Sequence, residues 1–210
     1  MKKYPFYLLA LLASAFLFTA CGGDDDNEDV QPDEPLEVIL VEDIPADPIT
    51  GVDPNTGRPI GDGVPSYVRL SDQALVSESD NWDVAFQSTS IYVNGGAIRS
   101  GDGGGYIYTG TFESLTEIPA TQAFGQDHSE SELAIPTGSG NGWYNYNPQI
   151  NVVTPISGRV VVIRTADGKF AKIEVLSYYK GNPAEPTSSD QSRHYTFRMV
   201  YQPDGSRSFE

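Results

Sequence analysis

Few side chains in this sequence have the chemistry of a nucleophile, a general base or a metal ligand, and their spacing limits what they can do. The 210 residues include one Cys, two Met and two His. Asp127-His128-Ser129-Glu130 holds the components of a catalytic triad. A triad, however, needs side chains that converge in space, and consecutive residues point apart. Asp53, Asn55 and Asp62 offer oxygen ligands of the kind calcium takes. The closing Glu of a calcium loop is missing, and Asp-Pro-Asn-Thr-Gly is explained as a turn. Gly95 to Gly105, GGAIRSGDGGG, lacks the Gly-Lys-Ser/Thr ending of a phosphate loop. Carboxylates are plentiful, but no spacing singles out a pair for glycoside hydrolysis. This inventory points away from an enzyme. The aromatics of GWYNYNPQ, Tyr144 and Tyr146 beside Asn147, suit packing or ring stacking.

The lone cysteine gains its meaning from position. Lys2 and Lys3 precede a nearly unbroken apolar run from Phe6 to Phe18, then Thr19-Ala20 and Cys21. That order is an export signal, too short for a membrane span, and LFTAC resembles the bacterial lipobox, with Phe18 where Leu is usual. Residues 1–20 are therefore expected to be a lipoprotein signal peptide, with Cys21 as the acylated N-terminus. No other Cys remains for a disulfide or a thiolate metal site. Residues 21–35 carry seven acids and no base, a segment unable to offset its ordering entropy by burying apolar surface. It reads as a solvated tether and resembles the acidic surface-export signal that follows the lipidated Cys in one group of Gram-negative bacteria. Localisation at the outer membrane, lipid-anchored and facing outward, is the expectation.

Residues 36–210 are long enough for one domain with its own core. Acids outnumber bases by 29 to 13 in the whole chain, for a net charge of −16, and the part after the tether keeps 22 acids and 11 bases. Nucleic acid is excluded as a partner, because phosphate binding needs a basic face. With 21 Gly and 15 Pro, and no stretch of helical period, the composition favours short strands joined by tight turns.

Leu36 to Val41 reads as an entry strand, and Glu42 to Ser66 as a long loop rich in Pro and Gly. Tyr67 to Val76 reads as one strand. In Asn81 to Asn94 two strands alternate: Trp82, Val84 and Phe86 against Asp83, Ala85 and Gln87, then Ile91 and Val93 against Tyr92 and Asn94. Tyr106 to Phe112 resumes a strand, and Glu113 to Ile118 suits a short helical turn. GRVVVIRT and FAKIEVLSYY flank an Ala-Asp-Gly turn, a strong hairpin signal that places both strands in mid-sheet. In HYTFRMVYQ, Tyr195, Phe197, Met199 and Tyr201 share one face and Thr196, Arg198 and Val200 the other. The expected fold is all-β, an antiparallel two-sheet sandwich or flattened barrel with long loops and little helix.

Three of these stretches, NWDVAFQSTSIYVNGG, GRVVVIRTADGKFAKIEVLSYYKG and YTFRMVYQPDG, together resemble the HmuY-like family of haem-binding outer-membrane lipoproteins. The resemblance covers most of the chain from Ser66 onward. It implies an all-β fold whose loops at one end clasp a haem and pass it, without catalysis, to a TonB-dependent outer-membrane transporter for iron acquisition. The family pattern holds the iron between two His from two loops, the second shortly after a Trp. In GWYNYNPQINVVTPISGR that position falls near Asn147, and neither His nor the Met of some relatives is present. The resemblance leaves His128 in the other loop as a candidate iron ligand, with Tyr144 or Tyr146 opposing it and Arg99, Lys180 and Arg193 as bases for the propionates. The alternative is a pocket re-tuned to another small planar ligand, or an anchored accessory subunit that binds no haem.

Overall fold

Alternation along the strands sorts the side chains onto opposite faces, and two sheets bury one face of each against the other. In a computed structural model, which describes residues 35–210, these residues form one compact unit, Pro35–Glu210. In chain order the strands are β1 (Ile39–Pro45), β2 (Gly51–Val52), β3 (Pro59–Ile60), β4 (Ser66–Arg69), β5 (Ala74–Val76), β6 (Val84–Gln87) and β7 (Ser90–Val93). There follow β8 (Gly104–Thr109), β9 (Tyr144–Asn147), β10 (Val152–Pro155), β11 (Arg159–Arg164), β12 (Phe170–Tyr179) and β13 (Ser192–Gln202). No helix occurs among the described residues. The sheets are antiparallel and none closes into a barrel, so the fold is a sandwich.

The larger sheet has the order β1-β13-β12-β11-β8 and the smaller β5-β4-β6-β7. One row of register partners, Ile107, Val161, Ile173, Met199 and Ile39, crosses all five strands of the larger sheet and faces the smaller. From the smaller sheet Val68, Val84, Phe86, Ile91 and Val93 answer it. The GRVVVIRT and FAKIEVLSYY strands are β11 and β12, both interior as expected.

The larger sheet is buried on its second face as well. Val162, Lys172 and Val200 form a row there, covered by Phe112, Leu115, Ile118 and Phe209. Lys172 is 5% exposed. Its ammonium donates to the carbonyls of Phe112 and Leu115 at 2.9 and 2.8 Å and lies 4.6 Å from the centre of the Phe112 ring. A buried charge is tolerable only when so partnered, and the pairing pins the 112–115 turn to the sheet. Burial still pushes the Lys172 ammonium below its ordinary range.

Several elements differ from the sequence reading. The entry strand runs from Ile39 into the supposed loop as far as Pro45, and that loop carries its own exposed hairpin of β2 and β3. Tyr67 to Val76 is two strands, because Gln73 adopts a left-handed backbone and folds β5 back on β4. Trp82 is not on the core face with Val84 and Phe86. Strand β6 begins only at Val84, and Trp82 instead packs edge-on against Tyr67 at 5.0 Å on the outer face. Residues 112–114 make a turn and no helix. The signal, tether and Cys21 readings fall outside the described residues.

Phe86 is fully buried between the sheets, so Phe86→Ala should cost about 3–5 kcal/mol of stability. Urea unfolding should show a lower midpoint at an unchanged slope.

Candidate functional site

The end of the sandwich where the β6–β7 turn meets the β12–β13 end is hollowed, and the hollow is floored by aromatics continuous with the core. Phe197 and Phe86 lie 5.7 Å apart between ring centres, Phe86 and Tyr195 4.6 Å, and Tyr195 and Trp143 5.1 Å. Trp143 then meets Tyr144 at 5.0 Å and Tyr178 at 6.0 Å, and Tyr178 meets Tyr179 edge-on at 5.7 Å. Above this stack lies an open cleft of about 430 Å³, within the size range of small-molecule sites. Its walls are Tyr144 and Tyr146 from β9, Val153 from β10, Tyr178 and Tyr179 from β12, Arg193 from β13, and Ile49 and Pro59 from the β2–β3 arm.

Hydrogen bonds hold each wall in place. Ser88, in a left-handed backbone at φ 50°, accepts from the Tyr195 hydroxyl at its carbonyl, 3.0 Å away. Its amide donates to the Ala46 carbonyl at 2.8 Å, joining the two sheets at this end. The Trp143 indole N–H donates to the Thr89 carbonyl at 3.0 Å, and the Thr89 hydroxyl donates to the Tyr144 hydroxyl at 3.2 Å. The β9–β10 hairpin is tied to β12 by the Val153 amide, which donates to the Tyr179 hydroxyl at 2.9 Å. Arg193 holds the arm: its guanidinium donates to the Asp47 carbonyl at 2.8 Å and to the Asp47 carboxylate at 3.0 Å.

In an acidic chain the cleft is close to neutral: among the described residues, Arg193 is its one lining cation and Asp190 its one lining carboxylate. Both Asp190 bonds are local, accepted from the Thr187 amide and hydroxyl. Burial pushes the Tyr178 phenol up to about 12, against the opposing pull of Ser88 and Arg193. Burial also holds the Tyr195 phenol well above its ordinary value. These phenols stay protonated and act as hydrogen-bonding, apolar surfaces.

The structure brings Tyr144 and Tyr146 together and leaves the other sequence candidates apart. His128 is exposed and lines no part of the cleft. Its neighbour Asp127 is fully buried and accepts from the amides of Val93 at 3.2 Å and Ala134 at 3.0 Å. Burial pushes the Asp127 carboxyl up, while those two amides and Arg99 pull it down. This fixes His128 beside the far end of β7, and the length of that strand, about 10 Å, separates it from the Ser88–Thr89 turn. Asn147 is exposed and uses its side-chain oxygen to accept from the Gln149 amide in the hairpin turn. Of the candidate bases, Arg193 lines the cleft, Arg99 lies at the His128 end against Asp127 and Glu130, and Lys180 is exposed. Asp53 accepts from the Asn55 and Thr56 amides, as a turn requires.

The family described as HmuY protein matches residues 64–198. The chain belongs to the HmuY family. The matched span includes every cleft-lining residue named above except Ile49 and Pro59 of the arm. Similar solved structures include a candidate lipoprotein from Bacteroides fragilis, at 17% identity and TM-score 0.44, covering 66% of this chain and 83% of that one. Another is the apo HmuY analog of Tannerella forsythia, at 19% and 0.43, covering 80% and 96%. A third is a candidate HmuY-like haem-binding protein from Bacteroides vulgatus, at 17% and 0.40, covering 79% and 91%. No curated protein matches the chain.

Sequence reading does not single out Tyr178 and Tyr179 for the site. Consecutive strand residues ordinarily face opposite ways, but the register of β12 against β13 shifts on both sides of Ser177, and such a bulge re-aims the side chains beyond it. The usable signal is the paired Tyr at the end of the hairpin strand.

The raised phenols fix an alkaline response. For Tyr178 and Tyr201 the ordinary value is 10.0 and the folded value about 12. The unfolded chain therefore releases these protons first, and stability present below pH 10 is lost as pH climbs toward 12. Phenolate absorbance from the buried tyrosines should rise only as the β-sheet circular dichroism falls. Ionisation of all tyrosines at full dichroism would show that the floor is open to water.

Proposed function

We propose that the protein is a surface-exposed lipoprotein, anchored through Cys21, that binds haem or a related porphyrin without catalysis and delivers it to a TonB-dependent outer-membrane transporter. Family membership supports this reading, and one observation carries it: the cleft whose floor of Tyr144, Tyr178 and Tyr179 rests on buried Trp143. A porphyrin needs an apolar, aromatic slot that excludes water along most of its face. Tyr146 and Ile49, both 43% exposed, line the cleft as apolar surface that such a guest would cover. Arg193 supplies the base that a propionate requires in a chain this acidic. Tyr144 and Tyr146 are the sequence candidates assigned to this site, and His128 is assigned no contact with the guest.

The alternative, a different flat guest, is favoured by one specific feature: among the described residues, the cleft lining includes no His, Met or Cys. Both readings place the guest in the same cleft.

Adding haemin to the purified protein should sharpen the Soret band and saturate at one equivalent. Tyr178→Ala together with Tyr146→Ala should weaken binding by more than about tenfold, because two stacking surfaces worth roughly 1 kcal/mol each are removed. His128→Ala should leave the titration unchanged. A spectrum identical to free haemin would overturn the haem reading.

A further inference from the structure

The atoms that line the cleft recognise a flat body and acidic groups and offer poor ligands to a metal. Both His lie elsewhere, His128 at the other end of β7 and His194 buried with its Nδ1 at 2.9 Å from the Ser192 carbonyl oxygen. Met199 is fully buried between the sheets. The remaining metal-binding atoms are the phenol oxygens and the Asp190 carboxylate; the carboxylate already accepts from the Thr187 amide and hydroxyl, and a phenol binds iron as the phenolate. Among the described residues no Lys, Arg or His hydrogen-bonds to Tyr144, Tyr146, Tyr178 or Tyr179 to stabilise that form. Tyr146 donates its proton to the Asn151 side-chain oxygen at 2.8 Å, a bond that the neutral phenol alone can make.

Hydrogen-bond donors, in contrast, are left over. Tyr144 and Tyr179 line the cleft and accept from Thr89 and Val153, so each still has its own hydroxyl proton, which meets no acceptor among the described residues. Arg193 makes three bonds, to the Asp47 carbonyl, the Asp47 carboxylate and, at 3.4 Å, the Pro59 carbonyl. Among the described residues, two of the five N–H groups of its guanidinium have no partner. Unpaired donors beside apolar lips match a planar molecule that carries carboxylates at its edge.

We propose that this cleft grips its guest by the ring face and the edge carboxylates and not by a central metal, so that a metal-free porphyrin dicarboxylate binds as well as its iron complex. The inference rests on the porphyrin reading given above and adds the criterion of selection. A carrier built this way accepts the ring system whatever its metallation state. Its guest is oriented by Arg193 and the phenols.

The test is a parallel fluorescence-quenching titration of the purified protein with haemin, metal-free protoporphyrin IX and protoporphyrin IX dimethyl ester. Haemin and the metal-free acid should bind within about threefold of each other, and the ester more weakly by about tenfold or more, since a charge-assisted pair is lost. Using the ester on the unaltered protein keeps the carboxylate test independent of whether Arg193→Ala loosens the β2–β3 arm. Haemin binding more than about tenfold tighter than the metal-free acid, equivalent to about 1.4 kcal/mol or more, would overturn the inference while the porphyrin reading stood. Equal affinity for acid and ester would also overturn it. Failure of all three to bind would remove the porphyrin reading and the inference with it.

Discussion

The packing of Phe86 against Tyr195 and Phe197 is the contact on which both the sandwich and its cleft depend. It joins the smaller sheet to the larger at their common core, and Tyr195 continues it to Trp143. Trp143 in turn is the underside of the cleft floor. Rings at 4.6 to 5.7 Å transmit position well, because a close-packed interior has no slack to absorb a shift. The same side chains that hold the sheets together thus set the height and tilt of the surface that meets a guest. A change at Phe86 would reach the cleft without touching any residue that lines it.

Polar chemistry at this end is arranged around that stack. Ser88 takes a left-handed backbone, and its carbonyl receives the hydroxyl of Tyr195, the one polar atom on an otherwise enclosed ring. Backbone groups of the β6–β7 turn and of β10 satisfy Trp143 and Tyr179, so the floor is fixed, while the hydroxyl protons of Tyr144 and Tyr179 have no acceptor among the described residues. Arg193 links the arm to the sheet through Asp47 while keeping donors for the cleft. The opposite end of the sandwich is closed differently, by buried Asp127 bridging Val93 and Ala134.

Fold class is legible in the sequence because period-two alternation is strong where one face is buried. HYTFRMVYQ shows the two faces of β13 correctly, and the Ala-Asp-Gly turn locates the interior hairpin. Alternation misplaces Trp82 because it extends the pattern beyond the true start of β6 at Val84. The site is only half legible. Tyr144 and Tyr146 are in the cleft, but loop order along the chain groups His128 with them, and loop order does not say at which end of a sandwich a loop lies. Tyr179 is hidden by the bulge at Ser177, which no periodicity argument anticipates. Asp47 lies inside a stretch that reads as featureless loop, and its value to Arg193 exists only in three dimensions, between residues 146 positions apart.

The chain belongs to the HmuY family, and the cleft in which we propose the guest sits is lined, among the described residues, by four tyrosines and one arginine and by no His, Met or Cys. Sites change independently of the folds that carry them, and the grip we propose uses stacking and hydrogen bonding in place of metal ligation. The most direct measurement is a crystal structure of the protein grown with haemin. The macrocycle should lie across the floor formed by Tyr144, Tyr178 and Tyr179, with a propionate at Arg193 and no side chain, phenol oxygens included, on the iron. Density for the macrocycle at His128, or any protein nitrogen, sulfur or phenol oxygen bonded to the iron, would contradict it.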